Sequence, residues 1–245
     1  MKRNFFFFAI CLFIYACQPS RIPTRIAFRD YVVNTSAGVA DSLNALLRPY
    51  RDSVGQSMGE VLAENEAPLV KEMPNSSLGN FLAEAYLWAA REKFDKRADV
   101  AFMNHGGVRV NRIGEGGVTR GMIYEVMPFD NQLVIVPVKG ALLQSYVDRL
   151  AADGGGGGVA GLTMTIKDKK AIQVTVGGKP LESEKTYYMV NSDYAVDGGG
   201  GFKYFRELEQ NRTSFLQRDA IIEYVSMIKA SGKRIAADYH QRINK

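Results

Sequence analysis

An α+β fold is predicted: a single domain with a mixed β-sheet packed by helices. Three observations predict it. Apolar residues recur at helical spacing in several separate segments, as in Leu78, Phe81, Leu82, Ala85 and Ala89. Short apolar runs lie between those segments and have the length and composition of buried strands. Two of the runs, Leu162–Lys167 and 172–176, flank the turn sequence Asp168-Lys169-Lys170 and read as a hairpin. Helices, hairpins and single strands therefore mix without a strict strand–helix–strand repeat, which argues for α+β over a doubly wound sheet.

Taken in order, Lys2 and Arg3 form a short positive segment ahead of an apolar run from Phe5 to Ala16. That run is much shorter than the ~20 residues a membrane-spanning helix needs, so residues 1–16 read as a signal peptide. The run ends in Ile14-Tyr15-Ala16-Cys17. This resembles the bacterial lipobox, and cleavage before Cys17 would free its thiol for diacylglycerol attachment. Residues 17–25 then form a tether, and residues 26–245 the folded domain. The expected location is the bacterial cell envelope, with the lipid anchor holding the chain at the outer membrane or a periplasmic face. An ordinary signal peptide with an incidental cysteine is the alternative.

Residues 26–33 suit a strand. Residues 41–47 and 50–54 suit helices, with Pro49 as a kink or as the first turn of a second helix. Residues 58–63 are a strand candidate. The clearest helix starts at Asn75-Ser76, either of which can cap it, and ends near Lys93. Residues 99–103 and 133–138 read as buried strands. Between residues 142 and 150, Leu142, Leu143, Tyr146, Val147 and Leu150 form one helical face. Residues 187–191 read as a strand. A last helix carries Ile221, Tyr224, Val225 and Ile228 and stops before Gly232.

Composition narrows the chemistry. The chain has 2 Cys, Cys11 inside the leader and Cys17 at its end, so the folded part has no disulfide, thiolate metal site or cysteine nucleophile. Hydrophobic residues make up 46% and charged residues 23%, ordinary for a globular domain. The formal net charge of +5 includes Lys2 and Arg3, and no dense basic stripe with interleaved aromatics signals nucleic acid. The mild positive balance suits a phosphate-bearing ligand.

Four segments are unusual for a plain core. Asn104-His105-Gly106-Gly107-Val108-Arg109 follows a buried strand. Its glycines allow close backbone approach and positive φ, and Arg109 can hold carboxylate, phosphate or ribose oxygens. A tight turn with a surface arginine fits equally well. Met127-Pro128-Phe129-Asp130-Asn131 can present a rigid aromatic face for stacking, or simply bury the ring. Asp153 followed by Gly154 to Gly158 is not a phosphate-binding Walker loop, because no Lys-Ser/Thr follows, and reads as a connection. Asp193-Tyr194-Ala195-Val196-Asp197, then Gly198 to Gly201 and Phe202, pairs an aromatic and two carboxylates with a glycine turn. Those carboxylates can accept hydrogen bonds from ribose hydroxyls or a base amine, though a glycine-rich surface turn has the same composition.

The order of these segments resembles the C-terminal, substrate-binding domain of 5′-nucleotidases and UDP-sugar hydrolases. The resemblance runs from about Ser53 to Ile243. It rests on Ser76-Ser77-Leu78-Gly79-Asn80, similar to the family's Leu-Gly-Asn signature, and on Asn104-x-Gly106-Gly107-x-Arg109. It continues through Val118-Thr119, Pro128-Phe129, Lys139-Gly140, Ala160-Gly161 and the segment from Asp193 to Phe202.

The resemblance implies that Phe129 and Tyr194 sandwich a nucleobase. It implies that Asn104 and Arg109, beside Gly106 and Gly107, address base, ribose or phosphate oxygens, and that Asp130, Asn131 and Asp197 lie nearby. In the family this domain delivers substrate to an N-terminal metallophosphatase domain with two metals and a catalytic histidine. The expectation is therefore a nucleoside- or nucleotide-binding chain with no cofactor and no catalytic residue of its own. Divalent metals are expected on a separate metallophosphatase chain, and a stand-alone nucleoside-binding surface lipoprotein is the alternative. An enzyme working alone, or an adhesive lipoprotein, has no motif behind it. The chain has 2 His, His105 and His240, too few for a two-metal site. Two positions depart from the family pattern. Glu72 stands where an arginine often grips phosphate, and Gly200 where an aspartate contacts the sugar.

Overall fold

The computed structural model describes residues 40–236, 239 and 241–245. The expected leader, Cys17, the tether, the strand at 26–33 and His240 lie outside them. The chain divides into two compact units, Met1–Leu47 and Arg48–Lys245. Of the first, residues 40–47 are described, and from Asp41 they are helical.

The helix α1 (Asp41–Met58) runs through Pro49 as one element, so Pro49 does not start a second helix. Leucine and arginine on either side favour helix and offset the single hydrogen bond that proline removes. Gly59 follows its end, donating to the Gly55 carbonyl at 2.9 Å. The strand expected from Met58 accordingly begins later, as β1 (Val61–Asn65).

The other elements are β2 (Leu69–Val70), α2 (Ser77–Trp88), β3 (Val100–Met103), β4 (Arg112–Ile113), β5 (Gly116–Thr119), α3 (Arg120–Val126), β6 (Gln132–Lys139), α4 (Gly140–Ala152) and β7 (Gly158–Ala160). They continue with β8 (Leu162–Lys167), β9 (Lys170–Val176), β10 (Lys179–Pro180), β11 (Thr186–Ser192), α5 (Asp193–Val196), β12 (Asn211–Leu216), α6 (Gln217–Ala230) and β13 (Ile243–Asn244). The hairpin turn is two residues long: Asp168 and Lys169 both have positive φ, as the twist of the flanking strands favours.

A five-stranded mixed sheet in the order β12-β6-β11-β3-β7 forms the centre. Within it β11 and β3 run parallel, and the other pairs are antiparallel. Both faces of this sheet are covered. Leu133 and Ile135 of β6 pack into one apolar cluster with α2 and α6, through Phe81, Leu82, Ile221 and Val225. Val134, Val136 and Val138 point into a second cluster with α4 and with β8 and β9, through Leu143, Val147, Met164 and Val174. Period-2 alternation thus splits one strand between two cores, and β6 reads as a continuous apolar run for that reason. Tyr86 and Tyr146 are buried in these cores, and burial pushes both phenols above their ordinary value.

The helix α2 is fixed at its start by polar contacts. Ser76 caps it, its hydroxyl accepting from the Gly79 N–H at 2.9 Å. Asn80 is fully buried and bonds in three directions. Its amide donates to Asn75 Oδ1 and to the Tyr239 carbonyl, and its Oδ1 accepts the Val159 N–H at 3.0 Å. Gly79 and Gly158 touch backbone to backbone, and a Cβ on Gly158 would lie 1.9 Å from the Gly79 carbonyl oxygen. The Leu-Gly-Asn signature is therefore an architectural joint between α2, β7 and the C-terminal segment.

Replacing Asn80→Ala strands the buried Val159 N–H and should lower stability by about 2–3 kcal/mol, read from urea unfolding midpoints. The buried phenols have folded pKa values above their unfolded value near 10, so their contribution is complete below about pH 10 and is lost as pH rises beyond it. The same unfolding measured from pH 7 to 11 should therefore stay level with respect to tyrosine until about pH 10 and then fall.

Candidate functional site: an aromatic cleft at the sheet end

The parallel pair β3 and β11 ends at the same edge of the sheet, and β6 begins there, with Ser192 paired to Leu133. Three chain excursions therefore leave from one place: Asn104 onward after β3, residues 127–131 before β6, and Asp193 onward after β11. Between them lies a cleft of about 400 Å³ lined by Asn104, Gly106, Gly107, Arg109, Phe129, Asn131 and Tyr194. That size is ordinary for a small-molecule pocket. Phe129 and Tyr194 remain 38% and 52% exposed, so neither ring is spent on the core.

Several of the lining residues are held in place by contacts outside the cleft. Residues His105–Gly107 form one turn of 3-10 helix, with the Gly107 N–H on the Asn104 carbonyl. Gly106 and Gly107 do not adopt the positive φ expected of them. Gly107 is needed for room instead, because a Cβ there would lie 2.6 Å from the Met103 methyl and 2.8 Å from the Asn104 side-chain oxygen. Arg109 is anchored by its backbone N–H to the Val126 carbonyl at 3.0 Å. Its guanidinium donates to the Gly106 carbonyl at 3.2 Å and lies 5.4 Å from the Phe129 ring centre, a cation–π distance.

Tyr194 sits in the single turn of α5, capped by Ser192, whose hydroxyl accepts from the Ala195 N–H. Beneath it, Asn191 donates to the Tyr146 hydroxyl at 3.2 Å, and Tyr146 packs edge-on against Phe102, Phe202 and Phe205. Gly199 lies directly beside the Tyr194 ring, where a Cβ would come within 2.4 Å of Cε1.

This arrangement belongs to a known lineage. Residues 53–207 match the family described as the C-terminal domain of 5′-nucleotidase. The chain is a member of that family. It is 29% identical over 165 residues to a 5′-nucleotidase of Vibrio cholerae, a match covering 64% of this chain and 29% of that protein. The structure superposes on the 5′-nucleotidase precursor of Thermus thermophilus with a TM-score of 0.68 and 26% identity, covering 83% of this chain and 43% of that one. The NAD nucleotidase of Haemophilus influenzae shares the fold with a TM-score of 0.64 at 19% identity, over 84% of this chain and 41% of that one. The chain thus spans less than a third of the Vibrio relative and less than half of these solved structures.

In this 5′-nucleotidase C-terminal domain, seven of the eight expected ligand-binding residues line one cleft. The eighth, Asp197, is not among the lining residues. Its carboxylate is paired with Arg212 at 2.6 Å, and its backbone carbonyl accepts from Arg206. Asp130 is likewise turned to a cation, Arg218, at 2.7 Å. Both departures from the family pattern have a structural counterpart. Glu72 lines a different cavity, with Met73, Asn75 and Lys245 among its walls. Gly200 has positive φ and open space around it. His105 leans on the glycine connection instead of the cleft, its Nδ1 lying 2.8 Å from the Gly156 carbonyl.

The cleft walls offer carboxamides, a guanidinium and two rings, with no imidazole or carboxylate among the described lining residues. Such a donor set does not suit a divalent metal. Among the described residues, no three His, Cys, Asp or Glu side chains converge on a metal position. Sequence reasoning missed Arg212 and Arg218, and it singled out Gly199 as part of a glycine turn without seeing that it makes room for the Tyr194 ring. The two arginines carry no local signal, since only the tertiary fold brings them to Asp197 and Asp130.

Gly199→Ala should displace the Tyr194 ring from the cleft while leaving the sheet and both cores in place. A crystal structure of the variant checks this.

Proposed function

We propose that this domain binds a nucleoside or nucleotide in the cleft, as the substrate-binding subunit of a split 5′-nucleotidase-type phosphohydrolase. The observation that carries the reading is the pair of solvent-facing rings, Phe129 and Tyr194, lining one cleft with two carboxamides and one arginine. Exposed aromatic faces suit a heterocycle, carboxamides suit its donor and acceptor edges, and a guanidinium suits a phosphate or sugar oxygen. The names of relatives and structural neighbours, 5′-nucleotidases and an NAD nucleotidase, support the same ligand class.

The hydrolytic step needs metals to generate the attacking hydroxide and to stabilise the phosphoryl oxygens. The proposal puts those divalent ions on a metallophosphatase domain carried by another chain. This chain would bind the base and orient the phosphate outward. Diacylglycerol on Cys17 would hold the domain at the bacterial cell envelope, where extracellular or periplasmic nucleotides arrive. Acting alone, the same cleft would make the chain a nucleoside-capturing surface lipoprotein.

Calorimetry with AMP and adenosine should give saturable binding that Phe129→Ala weakens about fivefold or more, since a stacked base is worth about 1–3 kcal/mol. Unchanged affinity in the variant would remove the stacking site. Phosphate release from AMP by a candidate metallophosphatase should rise when this chain is added. An assay in which activity never depends on it would remove the split arrangement and leave capture alone.

A further inference from the structure

We propose that Arg218 is the positioning residue that fixes the Phe129–Asn131 loop, and through it the stacking ring; its effect on ligand rests on the binding reading above. The loop holds two of the seven cleft residues, and it lies between α3 and β6 with no regular element of its own. The first turn of α6 supports it. The Gln217 N–H donates to the Asn131 carbonyl at 2.8 Å. From the next residue, Arg218 reaches Asp130 Oδ1 with Nη2 at 2.7 Å and the Phe129 carbonyl with Nη1 at 3.5 Å. The guanidinium also stacks on Tyr124 of α3, 4.4 Å from its ring centre. One planar cation therefore joins three elements: α6, α3 and the loop.

Burial makes this bracket stiff. Arg218 is 8% exposed, while its partner Asp130 carboxylate is 77% exposed. A buried guanidinium is costly unless its donors are satisfied. Nε is buried without a partner, so Asp130 and the Phe129 carbonyl supply its hydrogen bonds, and the loop cannot swing out without stranding the other donors too. Arg218 also holds Asp130 away from the cleft, which leaves Arg109 as the cleft's charged lining residue. The fork geometry is essential: it grips a carboxylate and a carbonyl while presenting a flat face to Tyr124. A lysine would keep the charge and lose both features.

The experiment uses the full chain and four variants: Arg218→Lys, Asp130→Asn, Phe129→Ala, and the double variant Arg218→Lys with Phe129→Ala. Asp130→Asn breaks the bracket from its exposed end and so guards against an Arg218 variant that fails to fold. In the ligand-free protein, amide hydrogen exchange over residues 127–132 should quicken about tenfold in Arg218→Lys and in Asp130→Asn, with α2 and the central sheet unchanged. Unchanged exchange in both variants overturns the inference, whether or not AMP binds.

With AMP as the probe, Arg218→Lys should weaken binding about fivefold or more in the wild-type background and less than about twofold in the Phe129→Ala background. Equal losses in both backgrounds would mean that Arg218 acts by general stability, and would overturn the inference. Should the wild type bind neither AMP nor adenosine, the binding proposal falls, and the exchange result still decides the role of Arg218 in holding the loop.

Discussion

The parallel pairing of β11 with β3 is the constraint from which the site follows. Met189 lies opposite Val100 and Val190 opposite Ala101, so the two strands advance side by side and stop at the same edge. Because β6 runs antiparallel to β11, its first residues start at that edge too. Backbone pairing of the three strands delivers three separate segments to one place. Ligands of open sheets commonly sit beyond the carboxyl ends of parallel strands for this reason. Here the parallel pair is embedded between antiparallel neighbours, and both faces are sealed by apolar clusters, so the sheet edge is a rigid platform.

Rigidity is then passed outward to the side chains that face solvent. Tyr194 stands on a capped turn above the Tyr146–Asn191 bond and an aromatic cluster. Arg109 lies over the Phe129 ring, and Arg218 reaches the backbone carbonyl of the same residue. Asp130 and Asp197 are each bound by an arginine and Asp193 accepts the Tyr194 N–H, and none of the three is among the lining residues, whose charged member is Arg109. Ring faces, carboxamides and one guanidinium are the chemistry that the lining of this cleft presents.

Much of this was legible in the sequence, for identifiable reasons. The helical face of α2, the strands β3, β6 and β11, and the hairpin of β8 and β9 all carry strong periodicity or turn chemistry. The α+β class followed from their order. The cleft residues were legible because each sits in a short segment whose composition is odd for a core, and because those segments fall in a recognisable order. Boundaries set by single glycines were not legible, as at Gly59. At Pro49 the sequence leaves open a kink or the start of a second helix, and the structure has one helix. Asp197 and Asp130 are expected near the ligand, and only the tertiary packing reveals Arg212 and Arg218 as their partners. Glycines were read for backbone freedom at Gly106 and Gly107, whereas the structure uses Gly107 for side-chain room.

The most direct measurement is a crystal structure of the domain grown or soaked with AMP. The account predicts purine density stacked on Phe129 and Tyr194, with Arg109 or an asparagine of the cleft in hydrogen-bonding reach of the ligand's oxygens or nitrogens. Density for the base elsewhere on the domain, with the space between those rings filled only by solvent, would contradict it.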